Sequence, residues 1–541
     1  RDLHSFPTRR SSDLAMNSVP DFTTKVRLMA PVVITKYQKV RAAQVDIVKG
    51  GASKHIDGEP NGGLTINPGG ALIVGGTVNR AKAPHYGIDD LQPTTDEDIF
   101  IKADEYNSAA LILDNSSGLT EATVQMYSPS YWEWKEGGTK IQKYWSYVAV
   151  PIQEALIPDY FYGAFTYYYE EKDGWKKKWD GDYLYPFQAI GLSRDLPGTE
   201  HFWGPLVSTE NRDIPLTKTA TGGGENMIAN SWTAPIQIAN FDIDDFGDDV
   251  KATIYMYNTG SASYHEGTVT EATSSYDGRG TAGQWLGIPI GVAKLPDYKG
   301  LDVIPALQTF EVDFESGVAY GAKDTLHLDY DRLVRGIDIT KDTLTERLHA
   351  PKRRMVKNDG DVEAVMKVRV AGIHTFAEVW LIQDGAFSEG YDNGWEANYA
   401  ACDDRSPQLY AHSEIGNMGV IAKPELEGTI LGFAPSRDGA DYTFSFYYRG
   451  DEELFLNDLL TETSTPITND DTYSFTASEN GNGSRFIISR NPYQQPLNPT
   501  STETVGADGQ NRAKKIIYND KIYILYNGMI YDAMGRVINR K

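Results

Sequence analysis

Apolar residues along this chain come in short bursts cut by turn residues, and stretches at helical spacing are scarce. Between about 40 and 115, Gln44-Val45-Asp46-Ile47-Val48 runs into a Gly-rich break. Leu64-Thr65-Ile66, Asn67-Pro68-Gly69-Gly70, Ala71-Leu72-Ile73-Val74 and Gly75-Gly76 follow. The rhythm returns at Ile99-Phe100-Ile101 and Ala110-Leu111-Ile112-Leu113. Strands of three to five residues with Asn or Gly at the corners are what a β-solenoid stacks as rungs, each burying its face on the next. Ordinary short strands in a sandwich are the alternative.

From 117 to 348 the pattern lengthens. Thr123-Val124-Gln125-Met126-Tyr127 alternates, Tyr144 to Pro151 reads as a strand ending in a turn, and further strands fall at 161–169, 252–257, 301–312 and 325–328. Turn signals recur at Asp173-Gly174, Pro197-Gly198, Thr259-Gly260 and Asp277-Gly278, as in an antiparallel sandwich or jelly roll. Residues 350–360 read as a break, and a second strand-rich block reaches about 490 with the strand count of an immunoglobulin-like sandwich. A polar, proline-bearing tether follows. In the tail, Asn527-Gly528 stands between Lys521–Tyr526 and Met529–Asp532, the strongest short-range hairpin signal because a primed turn needs φ > 0.

At 541 residues the chain is too long for one core. The expected class is all-β: a short β-solenoid, two antiparallel β-sandwiches of jelly-roll or immunoglobulin type, and a C-terminal meander. The expected divisions are 15–116, 117–348, 349–490, a linker at 491–511, and a hairpin element at 512–541. Residues 1–14, basic and Ser-rich without an apolar core, resemble translated sequencing-adapter read-through and stand outside the fold.

Charge narrows the partners. With 75 acidic against 51 basic residues the net charge is −24, which repels phosphate backbones and argues against nucleic acid. No run approaches the length of apolar residues needed to span a bilayer as a helix. The single cysteine, Cys402, permits no internal disulfide and no thiolate cluster, and reads as a buried small residue.

The tail from Ala513-Lys514-Lys515 through Asp532-Ala533-Met534-Gly535-Arg536-Val537 resembles the short C-terminal element closing many exported proteins of Bacteroidetes. Asp392-Asn393-Gly394-Trp395, Pro407-Gln408-Leu409-Tyr410, Leu456-Asn457-Asp458-Leu459 and Tyr473-Ser474-Phe475-Thr476-Ala477 resemble adhesin-like surface proteins of the same group. The resemblance implies export to the outer cell surface or beyond, by a type IX-like route. Its sorting element would include Asn527, Gly528, Tyr531, Asp532, Gly535 and Arg536, read by the secretion machinery.

Candidate chemistry is of two kinds. Asp242, Asp244, Asp245 and Asp248, with Asp249, crowd oxygen ligands around Gly247 in a way that would suit Ca²⁺, the one cofactor the sequence admits. Thr253 stands where an EF-hand needs its bidentate Glu, so a solvated acidic loop is the competing reading. The stretch 131–185 is dense in Trp and Tyr. Exposed rings stack on sugar C–H surfaces or form protein-binding hot spots, and Trp132, Trp134, Trp175, Trp179 and Tyr183 are the candidates, against packing of those rings in a core. Trp175 and Trp179, flanking Lys176-Lys177-Lys178, are the rings expected to be exposed.

No His-Glu-x-x-His or Gly-x-Ser-x-Gly pattern appears, and no catalytic residue is assigned. Glu133 with Glu136, or Glu170 with Glu171, would need a glycosidase's spatial separation. The reading is therefore of a non-enzymatic, adhesin-like surface protein binding a host or microbial protein or glycan. A glycan-binding protein of polysaccharide capture is the alternative, and a glycoside hydrolase comes after it.

Overall fold

The computed structural model describes residues 25–532 except 48–63, 81–98, 114–119, 260–282, 336–361, 401–405, 478–482, 494–513 and several breaks of one to three residues. The chain forms two compact units, residues 1–262 with 302–356, and 263–301 with 357–541.

The first unit opens with a three-sided β-solenoid. Strands Lys25–Leu28, Gln44–Ile47 and Val78–Arg80 pair in parallel to make one side. Val32–Ile34, Leu64–Ile66 and Ile99–Ile101 make the second, and Lys39–Ala42, Ala71–Val74 and Ala110–Leu113 the third. Each successive trio of strands is one rung. Val32, Leu64 and Ile99 lie in register, and Ile34, Ile66, Leu72, Val74, Ile101 and Leu111 fill the interior.

The corners show why the turns are glycine-rich. Gly69 sits at φ +76°, and a Cβ on Gly70 would lie 2.8 Å from the carbonyl oxygen of Thr35 in the rung before. A Cβ on Gly76 would meet the Ala43 carbonyl oxygen at 2.6 Å. Rungs stack at backbone spacing, so where a corner turns directly onto the previous backbone only glycine fits.

An antiparallel ribbon, Glu121–Ser128 with Gly198–Pro205, extends the second side, its Thr123 and Val124 pairing with Phe100 and Ile101. The rest of the unit is antiparallel. Ser146–Val148, Ile190–Ser193, Phe165–Glu170 and Gly174–Lys177 form one four-stranded sheet. Thr309–Asp313 lies between Glu225–Ala229 and Thr253–Asn258, and Arg212–Thr217 pairs with Lys323–Leu328. The core of the solenoid is continuous with Val148, Ile190, Leu192 and Phe202 of these sheets.

The second unit is one sheet of eleven strands. Its order runs Thr463–Pro466, Phe455–Asp458, Phe486–Ser489, Ile430–Ala434, Gln408–Ser413, Gly416–Lys423, Phe376–Gln383, Ala364–Ala371, Asp441–Arg449 and Thr472–Thr476, with Ala397–Asn398 pairing Gly416–Lys423. The expected sandwich is made by this single sheet curling until its two halves face each other. Phe444, near one end of the order, meets Phe486, near the other, at 4.8 Å between ring centroids. The end strands also touch, for Thr463 Oγ1 donates to Tyr473 Oη at 3.3 Å, and the sheet is nearly closed. Gln284–Pro289 and the short helix Ile290–Ala293, which lie within 117–348 in sequence, join this unit: Trp285 bridges Ala400 and Gly291 N donates to Gly394 O at 2.7 Å.

Strands Lys514–Tyr518, Lys521–Tyr526 and Met529–Asp532 form an antiparallel meander in the order expected of the tail. Its Tyr531 and Asp532 lie on the third strand. Asn527, Gly528, Gly535 and Arg536, like Cys402, lie outside the described residues.

Candidate binding face

The four-stranded sheet of the first unit has one apolar face and one aromatic face. Alternation places Val148, Ile190, Leu192 and Thr166 inward, and all four are buried. The opposite face carries Tyr147, Gly191, Tyr167 and Lys177 in one row across the strands, with Tyr169 beside Trp175 in the next. Of the three consecutive tyrosines, Tyr167 and Tyr169 therefore share the aromatic face and Tyr168 points the other way. The rings are half-buried, in part against the neighbouring sheet, where Tyr169 Oη donates to Glu225 O at 2.9 Å and Tyr147 meets Tyr257 edge-on at 4.9 Å, and they take no part in the solenoid core.

Gly191 organises this face. Trp175 reaches across it to stack on Tyr147 at 5.1 Å, and a Cβ on Gly191 would lie 3.1 Å from the indole ring. Tyr169 meets the same indole edge-on at 5.3 Å. The two-stranded ribbon Tyr131–Trp134 with Ile141–Tyr144 continues the surface. Its Trp132 packs edge-on against Phe165 at 6.1 Å and against Trp134 at 6.3 Å.

Two lysines stand among these rings. Lys143 Nζ lies 3.9 Å from the Phe165 ring centroid and 5.7 Å from that of Trp145. Lys177 Nζ lies 3.6 Å from the Trp179 ring centroid and 5.8 Å from that of Phe165. Cation–π attraction holds an ammonium over a ring without discharging it. On the other side of the hairpin Lys178 covers Tyr168 at 4.4 Å. Lys176 behaves differently, bonded to Asp173 and Glu170, whose carboxylates raise its pKa above the ordinary lysine value.

Trp132, Trp134 and Trp179 are thus linked through Phe165 and Lys177, while Trp175 belongs to the separate group with Tyr147 and Tyr169. Trp134 and Trp179 are 61% and 62% exposed, whereas Trp132 and Trp175 are half-buried. Tyr183 is exposed but sits on a separate strand pair, opposite Leu156. Lys143, Phe165 and Gly191 were not singled out by the sequence. Their signal was only strand alternation, which cannot say which strands become neighbours.

The acidic run is organised by an arginine. Ile243–Asp245 is a single 3₁₀ turn, with Asp242 N donating to Asp245 Oδ2 at 2.7 Å. Arg332 holds the buried Asp245 with two nitrogens, at 2.7 and 2.5 Å, and approaches Asp242 at 3.5 Å. Asp244 and Asp248 are exposed. Among the described residues no three His, Cys, Asp or Glu side chains gather as a metal-holding group. Glu171 is buried, and its Oε1 accepts from Thr219 N and Gly224 N at 2.8 and 2.9 Å, so the Gly222-Gly223-Gly224 loop wraps a carboxylate of the chain itself.

No protein-family model matches this sequence, and no solved structure matches it. The chain is 27% identical over 461 residues to the minor fimbrium subunit Mfa5 of Porphyromonas gingivalis, a match that takes in 79% of this chain. The chain spans about a third (35%) of that relative's length. The similarity is to a surface protein of the Bacteroidetes, in keeping with the resemblance seen in the sequence, and at that coarse level it points to the cell surface or beyond. Among the described residues no helix is long and apolar enough to cross a membrane.

Proposed function

We propose that this chain is a non-enzymatic, adhesin-like surface protein that serves a fimbria and makes contact through its β-modules. The observation that carries the reading is the similarity of four-fifths of the chain to part of a fimbrium subunit. The architecture supports it. A stacked solenoid and a curled eleven-stranded sheet make stiff modules, and rigid strands present side chains in fixed rows. In this reading the strands at 514–532 belong to the element that the secretion machinery engages.

The test is surface display in a Bacteroidetes host. An epitope-tagged chain behind a native export leader should be removed from intact cells by added protease, and should co-purify with sheared fimbriae. A version lacking 512–541 should stay protected inside the envelope. Full-length protein that is shielded in intact cells but cleaved after lysis would overturn the reading.

A further inference from the structure

The geometry points to the aromatic face of the first unit as a binding site for an anionic glycan, a polymer bearing uronate or sulfate groups. This deepens the proposed function by naming a ligand class for one of its surfaces.

Three observations converge. The first is stacking surface: Trp134 and Trp179 are exposed, and both lysines approach the Phe165 ring beside them. Flat rings on a rigid sheet match the C–H faces of pyranose rings. The second is charge. In a chain of net charge −24, Lys143 and Lys177 have no carboxylate within ion-pairing distance among the described residues. Among the described residues their partners are ring faces. Neighbouring Lys176, by contrast, is held by two carboxylates. The third is preorganisation. Both ammonium groups lie within 6 Å of one ring centroid, so they stand at most about 10 Å apart, within reach of two acidic groups along one polymer chain.

A neutral glycan would use the rings and leave both cations without a counter-charge. A nucleic acid would offer anions and stacking bases. A duplex, with about one charge per 1.7 Å of axis and its bases stacked inside, meets stronger repulsion from the acidic remainder of the molecule than a polymer with one charge per sugar. A single strand is the comparison that separates sugar stacking from charge alone.

Titration calorimetry of the whole chain, at fixed salt, should use oligogalacturonate, a neutral gluco-oligosaccharide of equal length and single-stranded DNA. Oligogalacturonate should bind at least about ten-fold tighter than either comparison ligand. Lys143→Gln with Lys177→Gln should weaken it about ten-fold or more, and Trp179→Ala similarly. The control Lys36→Gln with Lys323→Gln makes the same charge change elsewhere and should leave affinity within about two-fold. Unchanged far-ultraviolet circular dichroism and melting temperature show that the variants fold. Absence of binding, equal binding of the neutral sugar, equal losses in the control pair, or tighter binding of DNA would each overturn the inference. Surface display is read separately: a displayed chain that binds no acidic glycan loses only this site, and a binding chain that is never displayed loses only the fimbrial reading.

Discussion

Asp458 and Arg485 show what a single buried contact contributes. Both side chains are almost wholly buried, and Arg485 donates from Nε and Nη2 to the carboxylate while Tyr473 Oη donates to it at 2.6 Å. Burial pushes the Asp458 carboxyl upward, but the hydrogen bonds from Arg485 and Tyr473 outweigh it and leave the pKa below the usual carboxylate value. Its contribution is therefore present above the ordinary carboxylate range and lost as pH falls through its own lowered pKa. Asp458→Asn, which strands a buried guanidinium, should cost about 3–5 kcal/mol in urea unfolding of the second unit. Asp458→Leu with Arg485→Met should cost much less than either change alone. Glu396 has the opposite sign. Burial raises its pKa to about 7, although Asp392 N and Ala422 N donate to it at 2.9 and 3.3 Å. The folded unit holds this proton more tightly than the unfolded chain does. Stability from it is full below about pH 4.5 and declines as pH rises to 7, by an amount bounded at about 3 kcal/mol. Glu396→Gln should flatten that slope in denaturation series run between pH 4.5 and 8.

Among the elements, the solenoid was the most legible in sequence. Its rungs are local, so Leu64 to Val74 displays strand, corner and strand within a few residues, and glycine marks each corner where rungs touch. Gly76→Val should lower thermal stability by about 1–3 kcal/mol, read by circular dichroism melting, because the added carbons have only the Ala43 carbonyl to meet. Gly191→Val should instead change the aromatic dichroism band by pushing Trp175 off Tyr147. The aromatic face was half legible. The density of Trp and Tyr in 131–185 was plain, but whether those rings lay inside or outside depended on which strands became neighbours. Lys143 reaches Phe165 only because the 131–144 ribbon lies beside the sheet. The order of the eleven-stranded sheet was illegible for the same reason, since Ile430 meets Ile487 across more than fifty residues. The contribution of 284–293 to the second unit likewise rests on contacts over a hundred residues long.

For the molecule as a whole, the net charge of −24 and the lysine-bearing face act at different ranges. Salt at 0.1 M shortens electrostatic reach to about 10 Å, which screens the diffuse repulsion before it screens a contact pair. Association of an acidic oligosaccharide should therefore speed up as salt rises from about 10 to 100 mM, and slow again beyond. Stopped-flow measurement would show a monotonic fall if the lysines alone set the rate. The curled sheet has a mechanical consequence. Its first long strand, Ala364–Ala371, lies between Phe376–Gln383 and Asp441–Arg449, and its last, Phe486–Ser489, between Phe455–Asp458 and Ile430–Ala434. Neither is an edge that could peel away one bond at a time. Tension applied between residues 362 and 491 must shear two ladders together at each end, so this unit resists stretching as a clamp.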